Sequence, residues 1–121
     1  MRAVASILSI IIFLAFATSG AQKLIFTTMA SQSAEHLGFK KKPFQGVGLA
    51  EVVGAVGVLV GLAAKHGSFL AWLNAAAALG LLVMMLAATS LHLRRGDGFK
   101  GATPAMSLGA VCLLEVILRL V

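Results

Sequence analysis

An all-α integral membrane bundle of four helices is the fold class this sequence predicts, on three observations. Of its 121 residues 60% are hydrophobic, with a mean hydropathy of +1.00. Charged residues make up 12%, about half of what a soluble domain carries. Four apolar stretches are each long enough to cross a hydrocarbon layer about 30 Å thick, which takes roughly 20 helical residues. The chain is short enough to form one domain spanning residues 1–121.

The first stretch runs over residues 4–26. Its start also has the form of a secretory signal: Arg2, an apolar core, and Ala17-Thr18-Ser19-Gly20-Ala21 as a small-residue cleavage site. The apolar run continues through Leu24-Ile25-Phe26, past that site, and this predicts a retained helix. The second stretch covers 46–64, the third 69–91 and the fourth 103–121. Between the third and fourth, HLRRGDGFKGA is rich in glycine and charge and reads as a loop. The separator over 27–45 is more than a linker. Met29, Ser33 and Leu37 lie four apart with no Gly or Pro among them, and Gly38 follows as a stop. An interfacial helix is expected there, with an ordered loop as the alternative. Leu37, Phe39 and Phe44 would sit at headgroup level, and Lys40, Lys41 and Lys42 on anionic lipid.

Orientation follows from the Lys/Arg distribution. The first and third loops carry Lys40, Lys41, Lys42, Arg94, Arg95 and Lys100, against Arg2, Lys65 and Arg119 on the other side. The first and third loops are therefore expected to be cytoplasmic, with both termini outside. The net charge of +6 points to anionic lipids as partners. Nucleic acid is not expected, because the basic residues are split among short loops with no platform between them.

Glu51 is the most informative residue. A carboxylate in a membrane helix is costly, and such a residue usually has a partner or a role. Helix alternation brings Lys23, Glu51 and His92 to one membrane side, and Glu51 lies roughly 7–8 Å inside its helix at 1.5 Å per residue. A Lys23–Glu51 ion pair is expected. Gly48, Gly54 and Ala55, three or four positions from Glu51, are all small, so the carboxylate should face another helix. Gly57 and Gly61 add a GxxxG pair on a neighbouring stripe, and Ser19 and Gly20 stand beside Lys23 in the same way. The plain reading of the pair is structural, fixing register between two helices. The sharper one is a proton or ligand site with His92 as a nearby titrating group.

Glu115 and Arg119 form a second pair at i,i+4, read as a self-neutralised helix end that snorkels to the interface or else docks another subunit. Asn74 faces Ala77 and Ala78 and suggests an interhelical hydrogen bond. Cys112, the one cysteine, reads as a buried small hydrophobe. No CxxC or Cys/His metal spacing, P-loop, G-x-S-x-G or HExxH is present, and His36, His66 and His92 lie in or beside loops. No metal or cofactor is expected, and catalysis by this chain alone is not.

The segments SGAQKLIF, KPFQGVGLAEVVGAVGVLVGL and LHLRRGD are similar to the DoxX-like family of small bacterial membrane proteins. The resemblance implies a four-helix bundle in the bacterial cytoplasmic membrane, with Lys23 and Glu51 where the family carries its Lys and Glu. It further implies association with a quinone-linked oxidoreductase for the founding relatives, and accessory roles beside other membrane proteins for many others. No redox cysteine pair occurs here. The leading expectation is a non-catalytic accessory subunit of a transport or redox assembly, partnered by other membrane subunits or by itself. The alternative is a quinone- or lipid-linked oxidoreductase component with a headgroup pocket at Lys23, Glu51 and His92. A small transporter with Glu51 as its coupling carboxylate ranks third.

Overall fold

Helices form where the apolar stretches lie, and their ends follow the local chemistry. The computed structural model describes residues 2–62 and 67–120. Expectations for Lys65, His66 and the 63–64 end of the second stretch lie outside the described residues. Helix α1 covers Arg2–Ile25, α2 Thr28–Leu37, α3 Lys41–Val60, α4 Phe69–Arg94 and α5 Gly98–Leu120. All but α2 are long and apolar enough to span a membrane. The molecule is an all-α, multi-pass membrane bundle.

Four boundaries differ by three residues or more from the sequence expectation, one of them the end of α3 at Val60 rather than 64. Helix α3 starts at Lys41 rather than 46. Pro43 sits in its first turn, where the missing N–H has no intrahelical acceptor to lose, so the proline initiates the helix instead of preceding it. Helix α4 runs on to Arg94. Helix α5 begins at Gly98 rather than 103, which places Pro104 inside it and reduces the third loop to Arg95–Asp97.

The extra helix α2 forms in the first loop, stopped as expected by Gly38. At φ 82° the Gly38 N–H reaches the carbonyls of Ala34 and Glu35, a left-handed cap that costs glycine little. At the other end the Thr27 side chain accepts a hydrogen bond from Ala30 N at 3.2 Å. The buried stripe of α2 is Ala30 and Ala34, packed on Phe44 with Phe26 and Phe39 at the rim. Met29, one residue from that stripe, is 71% exposed. Phe44 moves from the headgroups into the protein, because the early start of α3 turns it inward.

Helix α1 packs on α3, α3 on α4, α4 on α5 and α5 back on α1, closing a ring of four. The core contains Ile12, Phe16, Ala55, Val58, Ala78, Leu81, Met85 and Cys112. Buried small residues along the same helices, Gly48 and Ala55 on α3 and Ala71, Ala75 and Ala78 on α4, let the backbones approach closely. Outward positions such as Ile7, Leu14, Val53, Val83 and Leu86 are large, apolar and exposed, a surface suited to lipid.

Candidate functional site

Two glycines position the first buried pair. A side-chain carbon on Gly20 would meet Gly48 O at 2.5 Å, and one on Gly48 would meet Lys23 Cβ at 2.6 Å. Neither has room, so α1 and α3 touch backbone to backbone here. Lys23 lies one turn beyond Gly20, and Glu51 one turn beyond Gly48. Side chains on a helix lean toward its N-terminus. In these antiparallel helices they therefore lean toward each other, and Lys23 Nζ donates to Glu51 Oε1. Glu51 is 1% exposed, and its second oxygen, Oε2, has no hydrogen-bond partner among the described residues. The Lys23 ammonium also lies 5.3 Å from the centre of the Phe44 ring, within cation–π range.

Beside this pair is an open-sided chamber of about 140 Å³ whose wall includes Phe39, Phe44, Val47, Met84, Met85 and Ala88. Lys23 and Glu51 are the charged side chains on that wall. A second cavity of about 140 Å³, lined by Ser19, Gln22, Ser33 and Met29 among others, opens on the other flank of Lys23.

His92 does not join this site. Its Nδ1 lies 2.7 Å from Asp97 Oδ2, while His36 Nε2 lies 2.7 Å from Asp97 Oδ1. Depth placed His92 near Glu51, but rotation about α4 turns Leu91 toward the chamber and His92 toward the α4–α5 turn. The hydrogen bonds from His92 and then His36 hold the Asp97 carboxyl below its ordinary range. Arg95 is drawn into the same junction, its Nη2 donating to Leu37 O at 3.2 Å. It thus covers the C-terminal end of α2 and is exposed without being simply a lipid contact. Lys40, Lys41, Lys42 and Arg94 are exposed, and Lys41 Nζ lies 5.6 Å from the Phe26 ring centre.

At the opposite end of the bundle, Glu115 and Arg119 are buried at 0% and 6% exposure, not snorkelled. They are held there because α1 and the turn after α3 supply partners, with Asn74 of α4 joined to them through Ser9. Arg119 Nε donates to Glu115 Oε1 at 2.9 Å, and Arg119 Nη2 donates to Leu62 O at 2.7 Å and to Ser9 Oγ at 3.1 Å. Ser9 donates to Glu115 Oε1 at 2.5 Å. Asn74 Nδ2 donates to Ser9 Oγ at 3.1 Å and to Val58 O at 2.7 Å. Sequence reasoning found Glu115, Arg119 and Asn74 but missed Ser9, the hub of the knot. Its one signal was a hydroxyl in an otherwise aliphatic turn, which serine more often spends on its own helix.

Of the packing glycines, Gly48 faces α1, while Gly54, Gly57 and Gly61 face Leu81, Ala77 and Asn74 of α4. The GxxxG pair thus serves the α3–α4 contact. Among the described residues, no three His, Cys, Asp or Glu side chains are grouped so as to hold a metal ion.

The model of the DoxX-like family matches residues 7–115, nearly the whole chain. The chain belongs to the DoxX-like family. The match takes in every residue of the Lys23–Glu51 pair, its chamber and the Asp97 junction. No curated protein and no solved structure matches this DoxX-like chain.

Proposed function

We propose that this DoxX-like protein is a non-catalytic accessory subunit of a larger assembly in the bacterial cytoplasmic membrane, with its first and third loops on the cytoplasmic side. The observation that carries the reading is on the outer face of α4. Ala76 and Gly80, four residues apart, both point outward, and nothing lies within 4 Å of where a Gly80 side chain would begin. Lipid packs equally well on large side chains. Small residues at this spacing suit a second helix that approaches closely. The interior supports the same reading, because both acidic side chains buried in the spans, Glu51 and Glu115, are paired with basic ones. Such groups hold helices together. Purification from native membranes in mild detergent should return a second membrane protein with this chain. Gly80→Leu should lose that partner while the protein still accumulates. Recovery of this chain alone from native membranes would contradict the proposal.

The chamber beside Glu51 favours a second reading, a quinone- or lipid-linked redox component whose headgroup rests against Lys23 and Glu51. On that reading Glu51→Gln abolishes activity without lowering the amount of protein in the membrane. Parallel loss of activity and protein would return the pair to a structural role.

A further inference from the structure

Helices α3 and α4 touch at one end and part at the other. Near the end of α3, a side-chain carbon on Gly61, Gly57 or Gly54 would collide with Asn74, Ala77 or Leu81 of α4. Two turns nearer the start of α3 the chamber lies between Val47 of α3 and Met84, Ala88 and Leu91 of α4. Ala87, at the edge of its wall, is exposed, so this wedge opens sideways toward lipid. Glu51 Oε2 presents no surface to it.

Depth and wall describe an acyl chain. From Leu91 to Met84 the wedge follows α4 for roughly 10 Å at 1.5 Å per residue, starting one turn below Arg94 and Arg95. Acyl carbons lie at that depth, and the wall there is aromatic and aliphatic. Its volume of about 140 Å³ is close to that of an apolar cavity that takes up one benzene ring, room for a short run of methylenes.

The mouth of the wedge is basic. Arg95 Nη2 donates to Leu37 O, and Leu37 and Phe39 are both wall residues. Arg95 therefore stands at the rim, with Lys40 directly after Phe39 and Arg94 exposed on α4. Two of the acids at this end are already engaged, Glu51 by Lys23 and Asp97 by His36 and His92, while Glu35 is exposed on α2. A guanidinium can bond a phosphodiester with two N–H groups at once. Basic clefts between spanning helices take anionic headgroups in this way. A choline or ethanolamine headgroup would bring its own cation to the same rim.

We propose that the α3–α4 wedge seats one anionic glycerophospholipid of the phosphatidylglycerol class, with an acyl chain in the chamber and the phosphate on Arg95. Charge alone spreads such lipids around the whole basic end, whereas the wedge holds one molecule in one place. The seat is independent of any protein partner, and its chain fills the room that a quinone ring would need.

The test uses the full chain, labelled with ¹³C at its methionine methyls, in nanodiscs of chain-deuterated phosphatidylcholine. A small fraction of the lipid is replaced by chain-protonated phosphatidylglycerol, or by chain-protonated phosphatidylcholine for comparison. Nuclear Overhauser effects are then read from acyl protons to the methyls. Met84 and Met85 face the wedge. Met106, 44% exposed and roughly 12 Å from the start of α5, lies at similar depth and reports ordinary lipid contact. Relative to Met106, the effect at Met84 or Met85 should be about fivefold larger from phosphatidylglycerol than from phosphatidylcholine, the preference one basic residue confers at a membrane surface. Arg95→Gln should bring the two lipids level. Ala88→Leu, which narrows the wedge away from the arginines, should remove the effect at Met84 and Met85 and leave Met106 unchanged. The proposal is overturned if neither wedge methyl receives acyl magnetisation, or if the two lipids give equal ratios in the unmodified protein. It is equally overturned if Arg95→Gln keeps the full preference.

Discussion

Glu51 and Glu115 are built alike at the level of single residues. Each is fully enclosed, each uses one oxygen on a basic partner, and each leaves the other oxygen without a donor among the described residues. They differ in their surroundings. Glu115 shares its bonded oxygen with Ser9 inside a four-helix knot, whereas Glu51 borders a chamber. Asn74 spends both amide hydrogens on other helices. Asn74→Leu should therefore lower stability by about 1 kcal/mol, in the range measured for interhelical hydrogen bonds in membranes. SDS titration in mixed micelles would show this as an earlier unfolding midpoint. Lys23 and Glu51 were legible in the sequence because charge stands out in an apolar run, and helix alternation sets depth. Rotation about the helix axis is not set that way, and it separated His92 from them. Ser9 was illegible for a different reason, since nothing in the sequence distinguishes a serine that bonds its own helix from one that bonds two others.

Among the elements, α2 is the one held by the fewest apolar contacts, with Ala30 and Ala34 as its buried residues. Its far end is fixed by polar links instead: His36 to Asp97, and Arg95 to Leu37 O. Because Asp97 titrates below its ordinary value of 3.8, its links favour the fold above that value and are lost as pH falls through the lowered one. Amide exchange in α2 should therefore rise several-fold as pH falls below the ordinary carboxylate range, while the centre of α4 stays protected. Asp97→Asn should reproduce the effect at neutral pH. Unchanged exchange in α2 of that variant would show that the apolar stripe alone holds the helix. The sequence announced this element through its glycine stop, but its weak amphipathicity did not say that Ala30 and Ala34 would be the buried face. The starts of α3 and α5 were hidden because their first turns are polar: KKPFQ opens α3, with Pro43 where a first turn tolerates it, and the glycine- and charge-rich GFKGA opens α5.

The whole molecule was the most legible level, since apolar length alone dictates four spanning helices and short loops make neighbours antiparallel. What length cannot dictate is how a ring of apolar helices in lipid selects one register, because lipid and neighbour are equally apolar. The two buried polar clusters supply that selection, Lys23–Glu51 between α1 and α3 at one end and Ser9, Asn74, Glu115 and Arg119 across the bundle at the other. The central claim is that the Lys23–Glu51 charges act as a pair between helices. A double-mutant cycle on folding stability in bicelles tests this most directly. Lys23→Met alone strands a buried carboxylate and should cost about 3–5 kcal/mol, whereas Lys23→Met combined with Glu51→Leu should return close to the unmodified protein. A neutral Lys23→Met, or a double variant as unstable as the sum of the two single ones, would contradict the account.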